Sequence, residues 1–177
     1  MATPFSSKSG RLALGGVLAA GSLGVLWLAC LMPSGRIGVV ALAGLFPVAG
    51  VLAAGRGAGY LCWAAGGLLG LILLPDKMVA LLYLAFLGLY PVVKSRIESL
   101  RRPWAEWALK LAFVNLALTL FWFVLRKLFL PEPPQWLGGS SLLFYALSNL
   151  AFAAYDYGLS KLIGLFLARL GPGRNRS

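Results

Sequence analysis

The sequence contains no histidine and only five acidic residues in 177. Without histidine there is no His-based catalytic triad, no His-ligated haem and no mixed Cys/His zinc site. The two cysteines, Cys30 and Cys62, both lie in apolar runs and lack metal-ligand spacing. The few acids form no pair suited to hydrolysis, and no Ser/His or Cys/His set exists. There is also no Gly-x-x-x-x-Gly-Lys-Ser/Thr loop, so the chain does not itself hydrolyse ATP by a Walker mechanism. The sequence therefore points away from an enzyme, a lipid-modifying one included, and calls for no cofactor, catalytic residue or metal.

Charge of both signs is scarce as well. Charged residues make up 12% of the chain, against about 25% in soluble domains. Hydrophobic residues reach 60%, and the mean hydropathy is +0.84. Such a chain is an integral membrane protein, all-α and polytopic. The net charge of +11 then reads as basic residues flanking membrane helices and meeting membrane lipids. No DNA- or RNA-binding motif argues for nucleic acid.

Breakers divide the chain into about six helices, at roughly 11–32, 37–55, 58–74, 77–94, 104–125 and 139–167, forming one membrane domain over 1–177. Pro33-Ser34-Gly35-Arg36, Gly55-Arg56-Gly57 and Pro75-Asp76-Lys77 mark the first three breaks. Lys94 to Pro103 reads as a polar loop, and the longest connection carries three prolines and Trp136. Lys8 and Arg11 precede the apolar run Leu12–Met32 as a signal peptide's basic residues would, but Trp27 occupies a place where cleavage favours a small residue. The run is read as a retained helix.

Six crossings put both termini on one side. That side would hold ten basic residues, Lys8, Arg11, Arg56, Lys94, Arg96, Arg101, Arg102, Arg169, Arg174 and Arg176. The other would hold four, Arg36, Lys77, Arg126 and Lys127. The excess places both termini in the cytoplasm.

Three groups of residues stand out. Helix 1 carries small residues at helical spacing, Gly15 with Ala19 and Gly16 with Ala20. Such residues let another helix approach closely, either within the chain's own bundle or from a docking membrane partner. Helix 5 carries Glu106 and Lys110 one turn apart, and helix 6 carries Asp156. Ionisable groups inside a span usually face protein or water, so these three are read as a polar seam, with Asp156 expected to meet Lys110. Tyr83, Asn115, Trp122, Tyr145 and Asn149 fall at or outside mid-depth and are suited to stacking or hydrogen bonding. Pro91 should bend the inner end of helix 4, and Tyr90 beside it should reach the headgroups.

Six short helices, both termini inside and the small-residue face of helix 1 resemble the substrate-binding S components of energy-coupling factor transporters. Members often use Ala-xxx-Ala on helix 1 to dock a transmembrane coupling subunit, and here Gly16-xxx-Ala20 and Gly15-xxx-Ala19 stand at that place. The segments "LLPDKMVALLYLAFLGLYPVVKSRIESL" and "EWALKLAFVNLAL" are similar to small bacterial membrane proteins related to these subunits, in which Tyr-Pro-x-x-Lys precedes Glu-x-x-x-Lys. The resemblance implies a multi-pass protein of the bacterial inner membrane that binds a small solute such as a vitamin and works with a coupling subunit and ATPases. Tyr83, Asn115, Trp122, Tyr145 and Asn149 would then line the solute pocket. No recognised vitamin-binding motif is present, so the resemblance names no solute. The competing expectation is a scaffold or accessory protein whose basic loop binds anionic lipid or a partner.

Overall fold

The computed structural model describes residues 7–100, 102–120 and 141–170, without the side chains of 141, 144, 166, 167, 169 and 170. Six helices lie within these ranges. They are α1 (Lys8–Leu31), α2 (Arg36–Ala54), α3 (Arg56–Leu73), α4 (Lys77–Leu100), α5 (Pro103–Leu120) and α6 (Ser141–Leu170). The first four are long and apolar enough to cross a membrane. The shortest of them, at 18 residues, reaches about 27 Å, close to the thickness of a hydrocarbon core. The chain divides into two compact units, Met1–Lys110 and Leu111–Ser177.

Local chemistry sets the ends of the helices. The Ser7 side chain accepts from the Gly10 amide at 3.0 Å and caps α1, and Asp76 accepts from Met78 at 3.0 Å and caps α4. The turns before α2 and α3 pass through Gly35 at φ +75° and Gly55 at φ +87°, a conformation that side chains disfavour. Gly55 alone separates α2 from α3. At the opposite end, Arg36 Nε donates to the Met32 carbonyl at 2.7 Å, and Lys77 Nζ donates to the carbonyls of Ile72 and Leu74 at 3.2 and 2.7 Å. These cations sit where the carbonyl ends of α1 and α3 collect negative charge. An Arg36–Asp76 ion pair of 2.9 Å ties the two loops together.

In the first unit, α1 packs on α2 and α3, and α4 packs on α2 and α3. Glycines allow this close approach. A β-carbon on Gly15 would strike Leu61, one on Gly21 would strike Phe46, and one on Gly59 would strike Val51. The buried face of α1 runs through Gly15, Ala19, Ser22, Leu26 and Ala29, every third or fourth residue.

Two of the four helices change winding midway. α2 is two helical pieces, Arg36–Ala43 and Leu45–Ala54, joined at Gly44. The freed Ala43 carbonyl accepts from Ser22 Oγ of α1 at 3.2 Å in the buried core. α4 turns into a π-helix over Tyr83–Leu87 and resumes as an α-helix at Tyr90–Ile97, with Pro91 in its first turn, where a missing amide hydrogen is tolerated.

The structure corrects two expectations about α4. Lys94 does not open a loop, because the helix continues to Ile97 and ends in a 3-10 turn, Glu98–Leu100. Tyr90 does not reach headgroups; it is fully buried and stacks on Phe86 with ring centroids 6.2 Å apart.

Candidate functional site

The sequence-derived candidates fall into three places. The first is the middle of α4. Tyr83 opens the π-turn and is fully buried. Its ring lies against Gly88, where a β-carbon would collide with it. Its hydroxyl points towards Gly66 of α3; a β-carbon there would lie 3.5 Å from Tyr83 Oη and 3.6 Å from both the Ala19 carbonyl and Ser22 Cβ. Gly67 makes room for Leu84, and Gly44 lets α2 press its backbone against the Leu87 carbonyl. In ordinary α winding the Gly88 amide would bond Leu84; here it reaches Tyr83 O at 2.8 Å instead. The indole of Trp63 supplies the missing donor, bonding Leu84 O at 3.1 Å. One π-turn is thus seated among four glycines and a tryptophan. The sequence held partial signals, Pro91 and the glycines, but none that selected Trp63.

The second place is the C-terminal end of α4. Glu98 Oε1 lies 2.9 Å from Lys94 Nζ and 3.1 Å from Lys110 Nζ, so one carboxylate oxygen bridges two lysines. Lys94 is 1% exposed and Lys110 7%. Both cations also lie over aromatic rings, Lys94 over Tyr90 and Lys110 over Trp107, at 6.0 and 5.8 Å. The seam expected from the sequence joins Glu106, Lys110 and Asp156, of which Asp156 belongs to the second unit. Within the first unit the carboxylate that Lys110 reaches is Glu98, while Glu106 sits half-buried one turn before it. Lys94 and Glu98, spaced i,i+4, carried the signal for this cluster. Lys94 stands where the apolar run of α4 gives way to polar residues, which hides its place inside the helix.

The third place is in the second unit, where the polar residues of α5 and α6 bond one another. Asn115 Nδ2 donates to Asn149 Oδ1 at 3.3 Å, and Asn149 Nδ2 returns a bond to Asn115 Oδ1 at 3.2 Å. Each amide also bonds the carbonyl one turn back on its own helix, Leu111 O for Asn115 and Tyr145 O for Asn149, both at 2.8 Å. One turn further on, Thr119 Oγ1 and Tyr145 Oη are 2.8 Å apart. Three of the five expected pocket residues, Asn115, Tyr145 and Asn149, therefore form one interhelical ladder. Tyr83 belongs to the first unit, and Trp122 lies outside the described residues. Asp156 is buried in α6, where its backbone carbonyl accepts from Ser160 Oγ at 2.8 Å.

The small-residue face of α1 splits in two. Gly15 and Ala19 are buried in the first unit. Gly16 and Ala20 are exposed, and a β-carbon on Gly16 or Gly24 would meet nothing within 4 Å.

Among the described residues no group of three or more Cys, Asp or Glu side chains is placed to hold a metal ion. Both cysteines are free thiols. Comparison with protein-family models, with curated proteins and with solved structures finds no match.

Proposed function

We propose that this protein is a membrane-embedded solute-binding subunit of the S-component type, which presents the open face of α1 to a transmembrane coupling subunit served by ATPases. The observation that carries this reading is the division of α1. One small-residue face is consumed by internal packing at Gly15 and Ala19, and a second, at Gly16, Ala20 and Gly24, stays open among the described residues. In lipid, helices associate through close packing of small residues, so an open face of this kind suits a partner helix. The docking residues of this proposal are therefore Gly16 and Ala20, while Gly15 and Ala19 hold the bundle.

Under this reading the basic end of the first unit faces the cytoplasm, and α5 and α6 complete six crossings of a bacterial inner membrane. Solute contacts are to be sought separately at Tyr83 in the first unit and at Asn115, Tyr145 and Asn149 in the second. The interrupted windings of α2 and α4 support a ligand site near mid-depth, since irregular backbone inside a membrane is tolerated where protein buries it or a cavity opens. The test is purification from the native membrane into lipid nanodiscs, followed by mass spectrometry of retained proteins and small molecules. Recovery of a membrane subunit with ATPases, or of a solute released on denaturation, is the expected result. Recovery of neither would set the reading aside in favour of a scaffold or accessory role.

A further inference from the structure

The charges at the two ends of the first unit are disposed differently. Arg36 and Lys77 are engaged at one end by Asp76 and by helix-terminal carbonyls. At the other end, Arg56 and Arg96 are both exposed, and neither makes an ion pair with a carboxylate among the described residues. Glu98, two residues from Arg96, is bridged by Lys94 and Lys110. Yet the two arginines are held in place. Arg56 Nη2 donates to the carbonyl of Ser95, the residue before Arg96, at 3.1 Å. The Arg96 guanidinium lies over the Tyr60 ring at 5.5 Å, and Tyr60 is one helical turn on from Arg56. Two guanidiniums from α3 and α4 thus share one patch. Of the five N–H donors of Arg56, one is used.

A guanidinium fork matches the oxygens of a phosphate, and stacking on tyrosine orders it without neutralising it. The position selects the source of that phosphate. The patch caps two apolar helices that span the bilayer in length, and the same end of the unit exposes Trp104 at 90% and Trp107 at 53%, residues that favour the headgroup layer. We propose that Arg56 and Arg96, with Tyr60 behind Arg96, form a binding site for the phosphodiester headgroup of an anionic phospholipid in the adjacent leaflet. The site is separate from the basic loop at Arg102 and does not depend on the transport reading.

The test is native mass spectrometry of the full chain released from detergent with phosphatidylglycerol or phosphatidylcholine. Phosphatidylglycerol should stay bound and phosphatidylcholine should not. Arg56→Gln should weaken retention about fivefold and Arg56→Gln/Arg96→Gln about thirtyfold. Lys8→Gln/Arg11→Gln removes two charges from the same end of the first unit and should leave retention within twofold. Equal weakening by that control, or equal binding of the two lipids, would overturn the proposal in favour of bulk attraction. Displacement of the lipid by millimolar inorganic phosphate would overturn the lipid as source. Should the glutamine variants misfold, Arg56→Lys/Arg96→Lys keeps the charge and removes the fork; unchanged retention there would also count against the site.

Discussion

Trp63 Nε1 of α3 donates to the carbonyl of Leu84, 3.1 Å away, on the turn where α4 leaves α winding. The bond replaces the one that the displaced Gly88 amide gives to Tyr83. Trp63→Phe keeps most of the packing and removes this donor from a half-buried site. The expected loss is about 1–2 kcal/mol of stability. It is read as a lowered unfolding midpoint in detergent, with Trp27→Phe, on the exposed side of α1, as the unchanged control.

Glycines at the winding changes should be unequal in their tolerance. At Gly44 an added methyl would meet the Leu87 backbone carbonyl, which cannot move aside without shifting α4. At Gly67 it would meet Cδ2 and Cγ of Leu84, side-chain atoms that a change of rotamer can move without shifting the backbone. Gly44→Ala is therefore expected to cost about 2–3 kcal/mol and Gly67→Ala about 1 kcal/mol. Gly24→Ala, facing open space, should leave the unfolding midpoint unchanged.

Glu98 bridges Lys94 and Lys110, one of them 1% exposed, while Asp76 pairs with an Arg36 whose side chain is 46% exposed. Removing a carboxylate that compensates buried cations costs more than removing an exposed ion pair. Glu98→Gln should lower stability by about 1–3 kcal/mol, and Arg36→Gln by less than about 1 kcal/mol. Raising salt should narrow the gap between Arg36→Gln and the parent, and leave that of Glu98→Gln largely in place.

The general plan of the chain was legible because apolar runs and breakers are strong signals. Gly35, Gly55 and Pro75-Asp76 fall where the helices change, and Gly55 alone separates α2 from α3. Interactions that depend on depth and azimuth were not legible. Lys94 through Ser99 reads as polar surface in one dimension, yet helix α4 carries Lys94 into the core before it ends. Tyr83–Leu87 is itself an ordinary apolar stretch, and Pro91 and the surrounding glycines signalled a break without placing the π-turn there. Asn115 and Asn149 were singled out as polar groups inside apolar helices, but their sequence positions could not show that each takes up the other's amide.

That mutual engagement sets an expectation for the second unit. Asn115→Leu should leave the Asn149 amide with its intrahelical bond to Tyr145 O and without its partner. Interhelical hydrogen bonds in membranes average about 0.6 kcal/mol and reach about 1.7 kcal/mol. A double-mutant cycle of Asn115→Leu and Asn149→Leu should therefore give a coupling energy in that range. A coupling near zero would mean that the reciprocal bonds add nothing, and would return both side chains to the pool of free pocket donors.

The two faces of α1 give the most direct contrast for the proposed role. Leucine at Gly15 would collide with Leu61, so Gly15→Leu should destabilise the chain by the few kcal/mol typical of overpacking. A β-carbon at Gly16 meets nothing within 4 Å among the described residues, and the position is exposed, so leucine there should leave the isolated protein's unfolding midpoint unchanged. If the open face docks a coupling subunit, Gly16→Leu and Ala20→Leu should nevertheless abolish co-purification of that subunit, because a bulky side chain there holds the partner helix away. Loss of association in a fully stable variant separates docking from folding. Retention of the subunit by both variants would move the docking surface elsewhere on the chain.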